Sequence, residues 1–189
     1  IYYYAGMTDK FDGAVHSTPG RHVTIAMHEA IGNMTIVAPE EAGFIGFIST
    51  LMPALAMGNR ITLITSKQFA LLATDFYQIL ETSDVPAGAI NILCGDREAL
   101  TETAARHMDI DAIWYWGTEE GSKTVEQFAA DNMKRSWVNY GRFYDWFDDQ
   151  QGQGRHARLH ERAGRPVLCG RKRHRAAVPP DHERLPRLG

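Results

Sequence analysis

Cysteine is nearly absent from this chain: Cys94 and Cys169 are the only two in 189 residues. A disulfide framework is therefore excluded as a source of stability, and a reducing compartment, the cytoplasm, is the expected setting. Long apolar runs are missing as well. The longest, 42–57, is interrupted by Gly43, Gly46, Ser49, Thr50 and Pro53, which falls short of the roughly 18 apolar residues of a membrane span. No charged-then-apolar leader stands at the start, and because the chain opens on Ile1 rather than Met it reads as a piece of a longer polypeptide. Among the eight histidines the only pair at His-x-x-x-His spacing is His156 and His160, in the tail without helical period, and no Cys/His cluster has ligand spacing, so no metal site is expected. There is no internal repeat.

Charge is unevenly distributed. Over 1–151 ten Lys and Arg face twenty Asp and Glu, whereas 152–189 carries ten against three. Nine of the last 38 residues are arginine and none is aromatic, so the stacking platforms of single-strand nucleic-acid binders are absent there. The run Gln150-Gln-Gly-Gln-Gly154 resembles a linker. Residues 150–189 are therefore set apart from 1–149 as a basic tail without helical or strand period. The tail is read either as a disordered arm or as a GC-rich coding sequence translated out of frame. Neither membrane nor specific nucleic-acid binding is expected.

What the first part does have is a period that switches back and forth. Met34–Ala38 is a short β-rich run ending at Pro39, and 44–57 carries Phe44, Phe47, Ile48, Leu51 and Leu55 on one helical face before a Gly58-Asn59 stop. Strands over 60–65, 89–93, 110–116 and 136–139 alternate with helices over 69–81, 97–107 and 118–133. Short strands alternating with helices of about a dozen residues are the βαβ signature, so the fold class is α/β, a Rossmann-like parallel sheet with helices on both faces. Ahead of it, 22–27 and 31–37 flank a Glu29–Gly32 turn and suggest an antiparallel extension. Tyr2-Tyr-Tyr4 reads as the end of a helix.

Five segments in register resemble the cofactor-binding domain of the aldehyde dehydrogenase superfamily. They are Tyr3-Tyr-Ala-Gly6; Ile36-Val-Ala-Pro39 with Met52-Pro-Ala-Leu-Ala-Met-Gly-Asn59; Val85-Pro-Ala-Gly-Ala-Ile-Asn-Ile-Leu-Cys-Gly95; Asp109-Ile-Asp-Ala-Ile-Trp-Tyr-Trp-Gly117; and Asn132-Met-Lys-Arg135. Their order holds over about 2–142. The resemblance implies NAD as hydride acceptor, a cysteine nucleophile, an oxyanion-stabilising Asn and a Glu general base. Carried over by position, the working residues are replaced. The oxyanion Asn falls on Glu41, whose carboxylate would repel an oxyanion. The ribose-binding Lys and Glu fall on Ile64 and Lys67, the glycine beneath the adenine on Arg97, and the general base on Asn139, which lacks the proton affinity for that role. The paired glycines after the base become Gly141-Arg142. Pro39, Gly117 and Thr118 are left as vestigial cofactor-binding positions, with Glu119 adding charge beside them.

Cys169, in Arg165-Pro-Val-Leu-Cys-Gly170, is the one residue at suitable distance for the nucleophile, and its setting only faintly resembles the family's Gly-Gln-x-Cys. Cys94, at a strand end, is expected to be a buried small hydrophobe. Trp114, Tyr115 and Trp116 read as core, the aromatic run Trp137–Phe147 as an interface or packing surface, and Glu40-Glu41 as a loop or helix N-terminus.

The resemblance is strongest to the degenerate second domain of tandem-domain members of the superfamily. It implies an aldehyde dehydrogenase-like domain that is itself non-catalytic, with NAD binding weak or lost. Its partners would be the remainder of the parent polypeptide or a homo-oligomer. Two rivals stand beside it: a divergent but working NAD-dependent aldehyde dehydrogenase, and a protein whose basic tail is a polyanion-binding arm.

Overall fold

The computed structural model describes residues 1–10, 12–17, 19, 23–147 and, as backbone, 164–168. Helix α1 (Tyr2–Met7) and strands β1 (Ala14–His16) and β2 (Thr24–Ala30) precede the main sheet. The alternation then runs β3 (Asn33–Val37), α2 (Gly43–Ala56), β4 (Arg60–Ile64), α3 (Ala70–Thr82), β5 (Ile90–Leu93), α4 (Arg97–Arg106), β6 (Ala112–Tyr115), α5 (Glu119–Asp131) and β7 (Arg135–Val138). Strand order is β5-β4-β3-β6-β7, and every pairing is parallel. The α/β fold with a parallel sheet expected from the periodicity is the fold observed.

Period-two alternation sends successive strand residues to opposite faces. Met34, Ile36, Leu63, Ile92, Trp114 and Trp116 meet α2 and α3 through Phe47, Leu51, Ala73 and Phe76. Val37, Ile64, Ile113 and Tyr115 meet α4 and α5 through Ala104, Ala105, Val125 and Ala129. Both faces are thus covered, which is why most residues of these strands are apolar. Trp114, Tyr115 and Trp116 are buried as expected, and Trp137, Tyr144 and Trp146 pack against the first cluster. Phe143 and Phe147, from the same aromatic run, are exposed.

Side chains close the helix ends. The Asp96 carboxylate accepts the Glu98 and Ala99 amides at the start of α4, and Thr118 Oγ1 accepts the Gly121 amide at the start of α5. At the other end of α4, Lys134 Nζ donates to Ala104 O and His107 O, each at 2.7 Å, and Asn132 Nδ2 reaches Ala105 O. The Asn132–Arg135 motif is therefore a clamp on the carboxyl end of α4.

Three local expectations are corrected. The segments flanking 29–32 do not form a hairpin: β3 lies between β4 and β6, while β2 pairs antiparallel with β1 and with β8 (Gly164–Leu168). A continuous apolar strand gains more from two buried parallel neighbours than from an antiparallel one. Strand β8 falls in the segment read as lacking strand period; its backbone gains regularity from the β2 ladder. Cys94 is exposed rather than buried. It lies just past the end of β5, which among the described residues is paired on one side only, with β4. No helix among the described residues is long and apolar enough to cross a membrane.

Candidate functional site

The chain leaves β3 to build β4 and β5 on one side and returns to build β6 and β7 on the other. The reversal between β3 and β6 opens a crevice at their carboxyl ends, which is where open α/β sheets bind ligands. A cavity of about 730 Å³ lies there, bounded by the first turns of α4 and α5.

Its lining is acidic: Glu40, Asp96, Glu98, Glu102 and Glu120 face only two cations, Lys67 and Arg97. Two helix N-termini point into it, and such ends ordinarily attract anions through free amides and the helix dipole. Here the Asp96 carboxylate and Thr118 hydroxyl oxygen already accept amides of those turns, and Glu98, Glu119 and Glu120 add negative charge in the same turns.

Arg97 does not face solvent. Its guanidinium is buried and donates from Nη1 to Ala38 O at 2.6 Å and to Glu40 Oε1 at 2.7 Å, and from Nη2 to Trp116 O. Ala38 follows β3 and Trp116 follows β6, so one side chain bridges the two strands across the crevice. Tyr115 occupies the neighbouring space, with its ring 5.8 Å from the Arg97 carbon. A side chain at Gly117 or Gly121 would collide with the Tyr115 hydroxyl. These glycines therefore admit the tyrosine ring over the first turn of α5, where a pyrophosphate lies in dinucleotide-binding folds.

The other positions singled out in the sequence fall as follows. Asn139 is 5% exposed. Its Oδ1 accepts the amides of Gly117 at 3.0 Å and Gly141 at 3.3 Å, and its Nδ2 donates to Arg142 O. It clasps the end of β7 to the end of β6, and the Gly117 amide is engaged by it. Glu41 is exposed. Ile64 is part of the apolar cluster beneath α4 and α5. Lys67 is exposed, and its amide donates to the Glu40 carboxylate. Pro39 is buried against α2, where a side chain on Gly46 would strike its ring. Thr118 lines the cavity as the cap of α5. Cys169 and most of the basic tail lie outside the described residues. The sequence reading missed the direction of Arg97 and the filling by Tyr115. The one signal for the first was an arginine where a glycine was expected.

Sheet order, crevice and paired helix N-termini define the class: a domain of dinucleotide-binding α/β type. The comparisons narrow it. The family model "Aldehyde dehydrogenase family" matches residues 1–142, and the chain belongs to that family. It is 33% identical over 140 residues to a mitochondrial benzaldehyde dehydrogenase of Antirrhinum majus, covering 74% of this chain and 26% of that protein. It is 30% identical over 142 residues to the NADP/NAD-dependent aldehyde dehydrogenase PuuC of Escherichia coli, covering 75% and 29%. Among solved structures, an indole-3-acetaldehyde dehydrogenase in apo form superposes with a TM-score of 0.71 at 28% identity, over 74% of this chain and 33% of that one. The same enzyme complexed with NAD+ gives 0.69 at 28% identity, over 72% and 28%. The chain thus spans about a quarter to a third of the length of these relatives.

Proposed function

We propose that this chain is the cofactor-binding-type part of an aldehyde dehydrogenase family protein that keeps the scaffold, has lost NAD binding and serves a structural role. The observation that carries the reading is the altered lining of the crevice. Arg97 and Tyr115 take up part of the switch point, Asn139 holds the Gly117 amide, and five carboxylates line what remains. The residues present do not fit a dinucleotide, whose pyrophosphate needs free amides and positive potential. Nor does Asn139 fit a general base: a neutral amide with both polar ends engaged has no proton affinity to offer.

A structural role is further supported by the exposed apolar side chains of Val15, Ile25 and Met27 on the small sheet and of Val23 just before β2. Patches of this kind mark contact surfaces, here for a second copy or for further domains of the same polypeptide.

Calorimetry of the 189-residue chain with NAD, paired with an NADH-absorbance assay over aliphatic and aromatic aldehydes, tests the reading. The expected result is no heat up to millimolar NAD and no NADH. Micromolar NAD affinity, or turnover lost on Cys169→Ala, overturns it in favour of a divergent working dehydrogenase.

A further inference from the structure

Arg97 is the first residue of α4, the end at which the helix dipole disfavours a cation. It is nevertheless only 7% exposed. A buried guanidinium at the wrong end of a helix persists only where strong acceptors surround it. The crevice provides them: Ala38 O at 2.6 Å, Glu40 Oε1 at 2.7 Å, Trp116 O, and the face of Tyr115 beside the guanidinium carbon. Two carbonyls, a carboxylate and a π-face are all electron-rich. None is a donor, so a phosphate finds no partner among them, whereas a planar cation with several N–H groups finds four. Asp96, Glu98, Glu102 and Glu120 along the same cavity add negative potential.

We propose that the acceptor cluster between β3 and β6, on the wall of the cavity, is a guanidinium-binding site, occupied in this chain by its own Arg97. Freed of that side chain, it takes a small organic guanidinium rather than a dinucleotide. The inference deepens the reading of a lost NAD site and rests on it. It adds that the crevice has acquired the opposite charge preference and that Arg97 is its resident ligand.

The test is thermal unfolding of the full chain with Arg97 intact, as Arg97→Ala and as Arg97→Lys. Each is measured with millimolar methylguanidinium chloride, with sodium chloride at matched ionic strength, and with millimolar NAD. Removing a buried, paired cation is expected to lower the Tm of Arg97→Ala by roughly 5–15 °C. Methylguanidinium should restore several degrees to Arg97→Ala and leave the unmutated chain unchanged, with no effect of sodium chloride or NAD. Combining Arg97→Ala with Glu40→Gln should abolish the rescue. Arg97→Lys, with a compact ammonium in place of the fork, should melt between the other two and show no rescue because the acceptor cluster stays occupied. If Arg97→Ala does not fold unaided, the same rescue is read as recovery of folded protein when methylguanidinium is present during refolding.

Absence of rescue, rescue by NAD instead, or an Arg97→Lys chain as stable as the unmutated one overturns the proposal. NAD stabilising the unmutated chain would sink the non-binding reading separately, since that arm contains no guanidinium.

Discussion

Asn139, onto which the resemblance carries the family's general base, has its side chain engaged by backbone groups instead. Its amide group accepts from Gly117 and Gly141 and donates to Arg142 O, so three backbone groups at the tip of the sheet depend on it. Asn139→Ala leaves two amides and a carbonyl without their partner, which costs about 1–3 kcal/mol for each group that stays dry. The expected outcome is a loss of roughly 2–4 kcal/mol in urea unfolding at constant m. Asn139→Glu puts back the family's carboxylate but can no longer donate to Arg142 O. It should also be destabilised and still produce no NADH from aldehyde. Recovery of turnover in that variant would mean that the remaining site is competent, contrary to the reading of the crevice. The resemblance located Asn139 from the sequence, but its partners were not legible. Gly117 is 22 residues away, and nothing in local pattern announces a side chain folded back onto a neighbouring strand. The same limit hid Arg97, whose partner Glu40 is 57 residues distant.

At the scale of elements, the helices of the main sheet were legible because a 3.6-residue apolar period over ten or more residues has few rival interpretations. The β2–β3 connection was not. A turn between two β-rich runs carries the signal of a hairpin, and only the burial of β3 on both faces reveals that its ladder partners are β4 and β6. The clamp on α4 supplies a pH test. Lys134 is held below its ordinary value of 10.5, chiefly because burial penalises its charged form, with Asp111 opposing the shift. A folded-state value below the unfolded one means that, between the two, the unfolded chain binds more protons, so stability rises with pH across that alkaline window. In Lys134→Met that rise should vanish. The stability lost through the mutation should therefore be larger just below pH 10.5 than near neutrality. Urea unfolding of both chains at neutral and alkaline pH reads the difference, and a gap that narrows with pH would show that Lys134 favours its charged form in the fold.

Among the described residues the main sheet is covered on both faces, whereas the small sheet leaves apolar side chains exposed. Val15 and Ile25 are direct cross-strand partners, and Met27 follows Ile25 at period two, so these side chains share one face. Their exposures are 75%, 40% and 45%, with Val23 just before β2 at 75%. A stripe of this kind in water favours association, and the structural role proposed above should be visible as self-association that does not involve the crevice. Sedimentation velocity across micromolar concentrations should show reversible oligomers. Ile25→Thr combined with Met27→Gln removes apolar contact without touching the core of the main sheet. It should weaken association by roughly tenfold or more and leave the Tm of the monomer within about 2 °C, as exposed substitutions do. The Arg97 variants should show the converse, a lower Tm with monomer–oligomer constants unchanged, because the crevice and the small sheet share no residue. A chain that sediments as a monomer throughout, or an oligomer insensitive to the β2 substitutions, would leave that apolar face to a partner other than a second copy of this chain.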